Sequence, residues 1–418
     1  MTMQTLPQPY TTAALIRAMA PVDVVIDSFL REQIIVTSQS CESCDVYCAG
    51  GEHKMSPWSV PSQSRFASLI ASISTANCAS FDFDWTSCKF LPSQRYISKL
   101  VTQYIIRMEK EADTYNAVVE LEDDHLVSLV YHLSMYRSTI VPDPCSSCFL
   151  TFQVPITMVS NEVKSTKIVY QYSGDHSGNE GDFLQIRTFP YHNDVGLKLW
   201  EAGACLAEYL IQYPEVIRAK NVMELGAGVG LTGLVAAVCG GCGEGARSVH
   251  MTDYTQATLE NLRFNADVNA EWLKKRGVDV RNVSIGFLEW GDLGDCKQND
   301  GLEIRQSVTN SGSTTALLNA DVLLAADVVY DIHCIPDLVC TVNRFLSCGN
   351  SLENKKALFA TTYRNKTTFD LFENELEKRG ILCDYIPKQL QEGLPSIFPC
   401  YFNQQHADVR LCCMKLVV

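Results

Sequence analysis

The sequence predicts an α/β chain: a mostly parallel, helix-covered sheet that follows a small β segment and a mainly helical N-terminal module. Three observations predict it. From Trp200 onward, strand-like and helix-like patterns alternate. An apolar run from Val222, "VMEL", passes straight into glycines at 226, 228 and 230, the mark of a strand-to-helix turn. The last two strand-like runs, "ILCDYI" and "ADVRLCCMKLVV", have no helix between them long enough for a crossover, so they should pair antiparallel.

The elements follow in order. Residues 1–145 are expected to form the helical module. In "PSQRYISKLVTQYIIRMEKEAD", Tyr96, Leu100, Ile105 and Met108 share one face, and "LEDDHLVSLVYHLSMY" continues with Leu126, Leu129, Val130 and Leu133. The span from Thr37 to Ser64, rich in Ser, Cys, Gly and Pro, reads as a loop insertion. Residues 146–195 carry three alternating runs, "FLTFQVPITMVS", "TKIVYQYS" and "DFLQIRTFP", a β lead-in. Residues 196–418 then give the strands "NVMEL", "SVHMTD", "VSIGFLEW", "DVLLAADVV" and "KALFATT", with helices such as "TQATLENLRFNADVN" and "FDLFENELEKRG" between them.

Composition excludes several function classes. The formal charge of −14 argues against a broad phosphate-binding surface, so nucleic acid is not expected as a direct partner. No segment approaches the 18 or more apolar residues that span a bilayer, and the first residues lack a basic start with an apolar core, so a cytoplasmic, soluble protein is expected. The 18 cysteines are scattered, several inside apolar runs, and read as buried reduced thiols. Cys41, Cys44 and Cys48, and Cys145 with Cys148, have ligand-like spacing, but the groups stand about 100 residues apart, so no metal is assigned.

The glycine turn points to a nucleotide-type ligand lying against backbone amides. A dinucleotide pattern wants a third glycine where Leu231 stands, and an acid on the ribose about 20 residues later. Here Glu224 precedes the loop, the next strand ends in Asp253, and no arginine beside it suggests a 2′-phosphate. An adenosyl group without a pyrophosphate fits, which indicates S-adenosylmethionine. Asp253 has a second reading as the N-cap of the helix that follows. Asp327, directly after the apolar "LLAA", reads as a functional carboxylate. A nicotinamide enzyme and a non-catalytic binding protein are the competing functions.

Taken in order, "GLKLWEAGACLAEYL", "VMELGAGVGLTGL", "EWGD", "AADVVYD" and "YRNKTTFDLFENELEKRG" resemble the seven-strand S-adenosylmethionine-dependent methyltransferases that modify lysines of non-histone proteins. Within that group the likeness is to the lysine methyltransferases of eukaryotic elongation factor 2, which also carry a helical N-terminal region, a β lead-in and a late "FP" stretch like "SIFPCYF". The resemblance implies a class I methyltransferase (Rossmann-like) sheet, S-adenosylmethionine as cofactor, and a protein lysine as acceptor. It implies that Trp200 packs on the cofactor, that Gly226 and Gly228 pass under its methionine portion, that Asp253 holds the ribose, that Trp290 borders the adenine and that Ala326 lines the pocket. Glu224 joins these cofactor-binding candidates. Asp327 and Tyr330 match an Asp-x-x-Tyr motif beside the acceptor lysine, Asp327 attracting and orienting the ammonium and Tyr330 aligning the amine. The chain departs from the group at "HNDVGLKLW", where a threonine usually stands and Asn193 or Asp194 would replace it.

Overall fold

The computed structural model describes residues 25–30, 65–67, 69–70, 94–112, 145–152, 154, 156–160, 167–171, 183–239, 245–291, 311–348, 355–387, 397–398 and 408–417. The chain divides into two compact units, the first built from residues 1–142, 148–152 and 175–180, the second from residues 143–147, 153–174 and 181–418.

In the first unit, helix α1 (Gln94–Ala112) buries Ile97, Leu100, Val101, Tyr104 and Met108. Tyr104 stacks on Phe66 at 3.6 Å between ring centroids and meets Phe29 edge-on. Tyr96 and Ile105, expected on the apolar face, flank it instead and are half-buried. Strand β1 (Cys148–Phe152) also belongs to this unit. The helical pattern around Leu126 to Leu133, the span from Thr37 to Ser64, and Cys41, Cys44 and Cys48 lie outside the described residues. Of the remaining cysteine pair, Cys145 is exposed and Cys148 buried, and no group of three or more metal-ligating side chains occurs among the described residues.

The second unit opens with an antiparallel pair, β2 (Ile156–Ser160) and β3 (Lys167–Gln171), and a strand β4 (Leu184–Thr188). Its centre is a seven-stranded sheet of β5 (Asn221–Leu225), β6 (Ser248–Asp253), β7 (Val283–Phe287), β8 (Val322–Ala326), β9 (Lys356–Thr362), β10 (Ile381–Tyr385) and β11 (Val409–Leu416). The strand order is β10-β11-β9-β8-β5-β6-β7. The strands from β9 to β7 run parallel, while β11 is antiparallel to both β9 and β10, as the missing crossover helix requires.

The helices of this unit are α2 (Glu201–Gln212), α3 (Leu231–Val238), α4 (Gln256–Val268), α5 (Ala270–Lys275), α6 (Ser311–Asn319), α7 (Ile335–Ser347) and α8 (Lys366–Lys378). Alternation along β5 splits the core: Met223 and Leu225 pack with Ile335, Leu338, Val342 and Phe345 of α7 and with Phe372 and Leu376 of α8. Glu224 faces the other way, toward α3.

Two polar devices tie outlying segments to this sheet. Glu208 of α2 is completely buried, and its Oε1 accepts the amides of Ile397 and Phe398 at 2.7 and 2.8 Å. Burial pushes its pKa well above the usual carboxylate range. Asn261, Asn265 and Asn269 recur every four residues along the buried side of α4 and its end. Asn265 and Asn269 accept the amides of Arg187 and Gln185 at 2.9 and 2.8 Å, and their side-chain amides donate back to the carbonyls of the same two residues. Asn261 Nδ2 also donates to the Arg187 carbonyl, while its Oδ1 accepts from Arg187 Nε. Strand β4 is thereby hydrogen-bonded to a helix as if to a neighbouring strand.

Candidate functional site

One pocket lies beyond the carboxyl ends of the parallel strands, where an open α/β sheet binds its ligands. Its walls include Trp200, Glu224, Gly226, Gly228, Asp253, Trp290, Ala326, Asp327 and Tyr330, so all nine residues singled out from the sequence line it together.

The floor is the turn from β5 into α3. Gly226 and Gly228 have φ of +58° and +56°, a backbone region that costs a side chain dearly. Space is tight as well: a Cβ on Gly226 would stand 2.9 Å from Val328 Cγ1 and 3.3 Å from Trp290, and on Gly228 it would stand 3.2 Å from the Gly196 carbonyl oxygen. The loop is thus shaped by glycine on two counts.

Asp253 ends β6. Its Oδ2 accepts the Gly228 amide at 3.1 Å and its Oδ1 accepts the Tyr254 amide at 2.8 Å. The helix-cap reading of Asp253 is displaced: Thr255 caps α4, its side chain accepting the Thr258 amide at 3.1 Å. Burial raises the Asp253 pKa, against the backbone amides that lower it. Glu224 is 2% exposed and its Oε2 has no hydrogen-bond partner. Burial pushes its pKa up to about 8, helped by the charge of Asp253 and opposed by the Gly233 amide and the Thr232 hydroxyl.

Trp200 precedes α2 and is not a core residue. It is 37% exposed, and its Nε1 donates to the Val195 carbonyl at 2.9 Å, which fixes the ring at the pocket mouth. Trp290 is half-buried against the Gly226 turn. Where the threonine of the related group is missing, Asp194 lines the pocket and accepts from the Gly196 amide and the Thr255 hydroxyl, both at 2.9 Å.

The opposite wall is the end of β8. Strand pairing stops at Ala326, because Asp327 adopts φ +54°, an uncommon backbone for a residue other than glycine. Val329 is buried behind it, while Asp327, Val328 and Tyr330 line the pocket. Asp327 is not an open carboxylate. Its Oδ1 accepts from the Thr362 amide at 2.9 Å and from Arg364 Nη1 at 3.0 Å; its Oδ2 accepts from the Thr362 hydroxyl at 3.0 Å and from Arg364 Nη2 at 2.9 Å. The expectation of a free charge awaiting an ammonium changes accordingly, since Arg364 already supplies the counter-charge. Tyr330 is half-exposed, and burial together with neighbouring acids pushes its pKa up to about 12.

Arg364 and Thr362 are the partners that sequence reasoning missed. Only strand order brings them in: β8 and β9 are parallel neighbours in register, Ala326 opposite Ala360, so residues just past Ala360 border those just past Ala326.

Parts of the chain are similar to known proteins. Residues 179–378 match the model of a family described as lysine methyltransferase. The human "Protein-lysine N-methyltransferase EEF2KMT" is 31% identical over 207 residues, 49% of this chain and 56% of that protein. The bovine protein of the same name is 28% identical over 232 residues, 62% of its length, so the chain spans little more than half of these relatives. The "Protein N-terminal and lysine N-methyltransferase efm7" of Aspergillus fumigatus is 29% identical over 230 residues, 80% of its length. Among solved structures, the ribosomal protein L11 methylase from Lactobacillus delbrueckii subsp. bulgaricus aligns at 14% identity and a TM-score of 0.30, over 51% of this chain and 78% of that one. The family match takes in the glycine turn, Asp253, Trp290, Asp327 and Tyr330, so the likeness to lysine methyltransferases rests on the part of the chain that forms the pocket.

Proposed function

We propose that this chain transfers methyl groups from S-adenosylmethionine to a lysine of a cytoplasmic protein, with elongation factor 2 the favoured substrate. The observation that carries the reading is the convergence of a glycine turn, a strand-end carboxylate, two tryptophans and an Asp-x-x-Tyr loop on one pocket. No helix among the described residues is long and apolar enough to cross a membrane.

The residues present fit the cofactor. Gly226 and Gly228 leave a cradle that a Cβ would fill, and Glu224 Oε2 is a buried polar atom without a hydrogen-bond partner. In this reading Asp253 would hold the ribose hydroxyls, Trp290 would border the adenine, and Glu224, the glycine turn, Trp200 and Ala326 would take part in binding the rest of the cofactor. Bound S-adenosylmethionine supplies an electrophilic methyl carbon, which the lone pair of the lysine nitrogen takes while the carbon–sulfur electron pair stays on sulfur.

The chain's own part is positioning. A lysine with a pKa of about 10.4 must give up its proton to water first, at a cost of roughly 4 to 5 kcal/mol at pH 7. Exclusion of water and proximity then supply the acceleration. Tyr330 is neutral at physiological pH, as any tyrosine with a pKa of 10 or above is, and keeps a hydroxyl that can align the amine. Asp327, locked by four donors, fixes the shape of the acceptor wall.

Two measurements test the proposal. A ligand that binds only the folded state raises the thermal midpoint by mass action, so S-adenosylmethionine or its demethylated product should raise it more than NAD does. Incubation with labelled S-adenosylmethionine and a eukaryotic lysate should label a band near the mass of elongation factor 2. A labelled band elsewhere changes the substrate; a larger shift with NAD and no labelled protein sinks the reading.

A further inference from the structure

Arg364 is committed in a way that its position does not demand. Its side chain is 42% exposed at the end of β9, where water would serve it well, while Asp327 is only 4% exposed. Yet both terminal nitrogens of Arg364 are spent on the two oxygens of Asp327, and its guanidinium carbon stands 5.3 Å from the centre of the Trp200 ring. A bidentate guanidinium fixes orientation as well as charge, which an ammonium cannot do. The backbone around it is held on both sides, by the Thr362 bonds to Asp327 and by Asn365, whose side chain caps α8 through the Thr367 amide at 2.9 Å. Arg364 therefore bridges two pocket walls, the Asp327 loop and Trp200.

The consequence concerns charge. A carboxylate beside the acceptor amine would stabilise its ammonium form, which has no lone pair to offer. Paired with Arg364, Asp327 presents no net charge to that side of the pocket. We propose that Arg364 is a positioning residue that cancels Asp327, so that the wall next to the reacting sulfur is close to neutral and the lysine is received as a free amine. The inference rests on the methyltransferase reading of the pocket.

The affinity ratio of two ligands tests it without turnover. S-adenosylmethionine is a sulfonium cation and S-adenosylhomocysteine its neutral thioether, so their ratio of dissociation constants by calorimetry reports the local charge. Arg364→Gln leaves Asp327 uncompensated and should move the ratio toward the cation by roughly threefold to tenfold, the size expected for one charge several ångströms away in a partly wet site. Asp327→Asn leaves Arg364 uncompensated and should move it the other way. Arg364→Lys and the double variant Asp327→Asn/Arg364→Gln, which restore charge balance, should stay near the wild-type ratio, though only a guanidinium holds the wall in shape. Circular dichroism checks folding, and if Arg364→Gln fails to fold, the opposite shift of Asp327→Asn still decides. A ratio unchanged in the folded single variants overturns the role of Arg364 and leaves the methyltransferase reading standing. A wild-type protein that binds neither ligand overturns both.

Discussion

The Gly228 amide donates to Asp253 Oδ2 across 3.1 Å, so the glycine turn and the end of β6 are braced against each other before any ligand arrives. The same carboxylate accepts the Tyr254 amide on its other oxygen. Asp253→Ala removes both the brace and the proposed ribose acceptor. Charge-assisted hydrogen bonds of this kind are worth about 1.5 to 3 kcal/mol each, so affinity for S-adenosylhomocysteine should fall roughly 10- to 100-fold by calorimetry. Affinity within twofold of wild type would leave Asp253 a loop brace and nothing more.

Asp327→Asn should keep the fold and the binding of S-adenosylhomocysteine yet lose most methyl transfer to a lysate. The asparagine preserves shape but offers only one acceptor oxygen where Arg364 and Thr362 now find two, so the acceptor wall loosens. Single-turnover rates with labelled cofactor check this. Transfer at the wild-type rate would remove Asp327, and the Asp-x-x-Tyr motif with it, from the acceptor side.

Glu224 makes stability depend on pH. Its pKa is pushed up to about 8 in the folded chain from an ordinary value of 4.5, so the folded state keeps a proton that the unfolded chain releases. The sign follows: the associated stability is fully present below about pH 4.5 and is lost as pH rises toward 8, a change of a few kcal/mol at most. Glu224→Gln cannot ionise, so its urea midpoint should fall less than that of wild type between pH 5 and pH 8.5. Other buried acids such as Glu208 are common to both proteins, so the difference isolates Glu224. Parallel curves would show that Glu224 does not carry the effect.

Asn265 is fully buried and serves three backbone groups: the Arg187 amide, the Arg187 carbonyl and, at 2.8 Å, the Val229 carbonyl within the glycine turn. Asn265→Ala strands the Arg187 amide and the Val229 carbonyl, while the Arg187 carbonyl keeps the Asn261 donor. Each buried unpaired group costs about 1 to 3 kcal/mol, so the thermal midpoint should drop by many degrees and cofactor affinity should fall with it. Asn265→Asp, which keeps an acceptor but loses both donated bonds, should also destabilise. A midpoint unmoved in both variants would mean that water replaces the side chain.

The parts of this molecule legible in the sequence are those governed by local physics. All seven sheet strands stand where alternation and apolar runs put them, most plainly β8 and β9, whose buried parallel pairing requires near-continuous apolar stretches. Their ends were harder to read: "DVLLAADVV" reads as one strand, yet pairing ends at Ala326, since nothing local announces the φ of +54° at Asp327. Gly226 and Gly228 were readable because few other residues tolerate their backbone. Arg364 was hidden because its partner lies 37 residues away and meets it only through strand order. Asn261, Asn265 and Asn269 stand four apart on α4, and that spacing does not itself reveal that they face the backbone of β4. Thr255, not Asp253, caps α4, a choice between two plausible neighbours that only geometry makes.

The asparagine ladder works because two periodicities nearly coincide. Four residues of α-helix advance about 6.0 Å, and two residues of β-strand advance about 6.6 Å. Asn265 and Asn269 therefore meet Arg187 and Gln185 with little mismatch, one rung per residue pair. The error of roughly 0.6 Å per rung accumulates, which limits such a ladder to two or three rungs before the bonds stretch. It also works as a vernier: moving β4 by one residue would turn the Gln185 and Arg187 backbone groups away from α4 altogether. Side chains of α4 thus index β4 to the sheet domain as strictly as a paired strand would. A single-residue insertion in β4 should be as disruptive as the same insertion in the centre of the sheet.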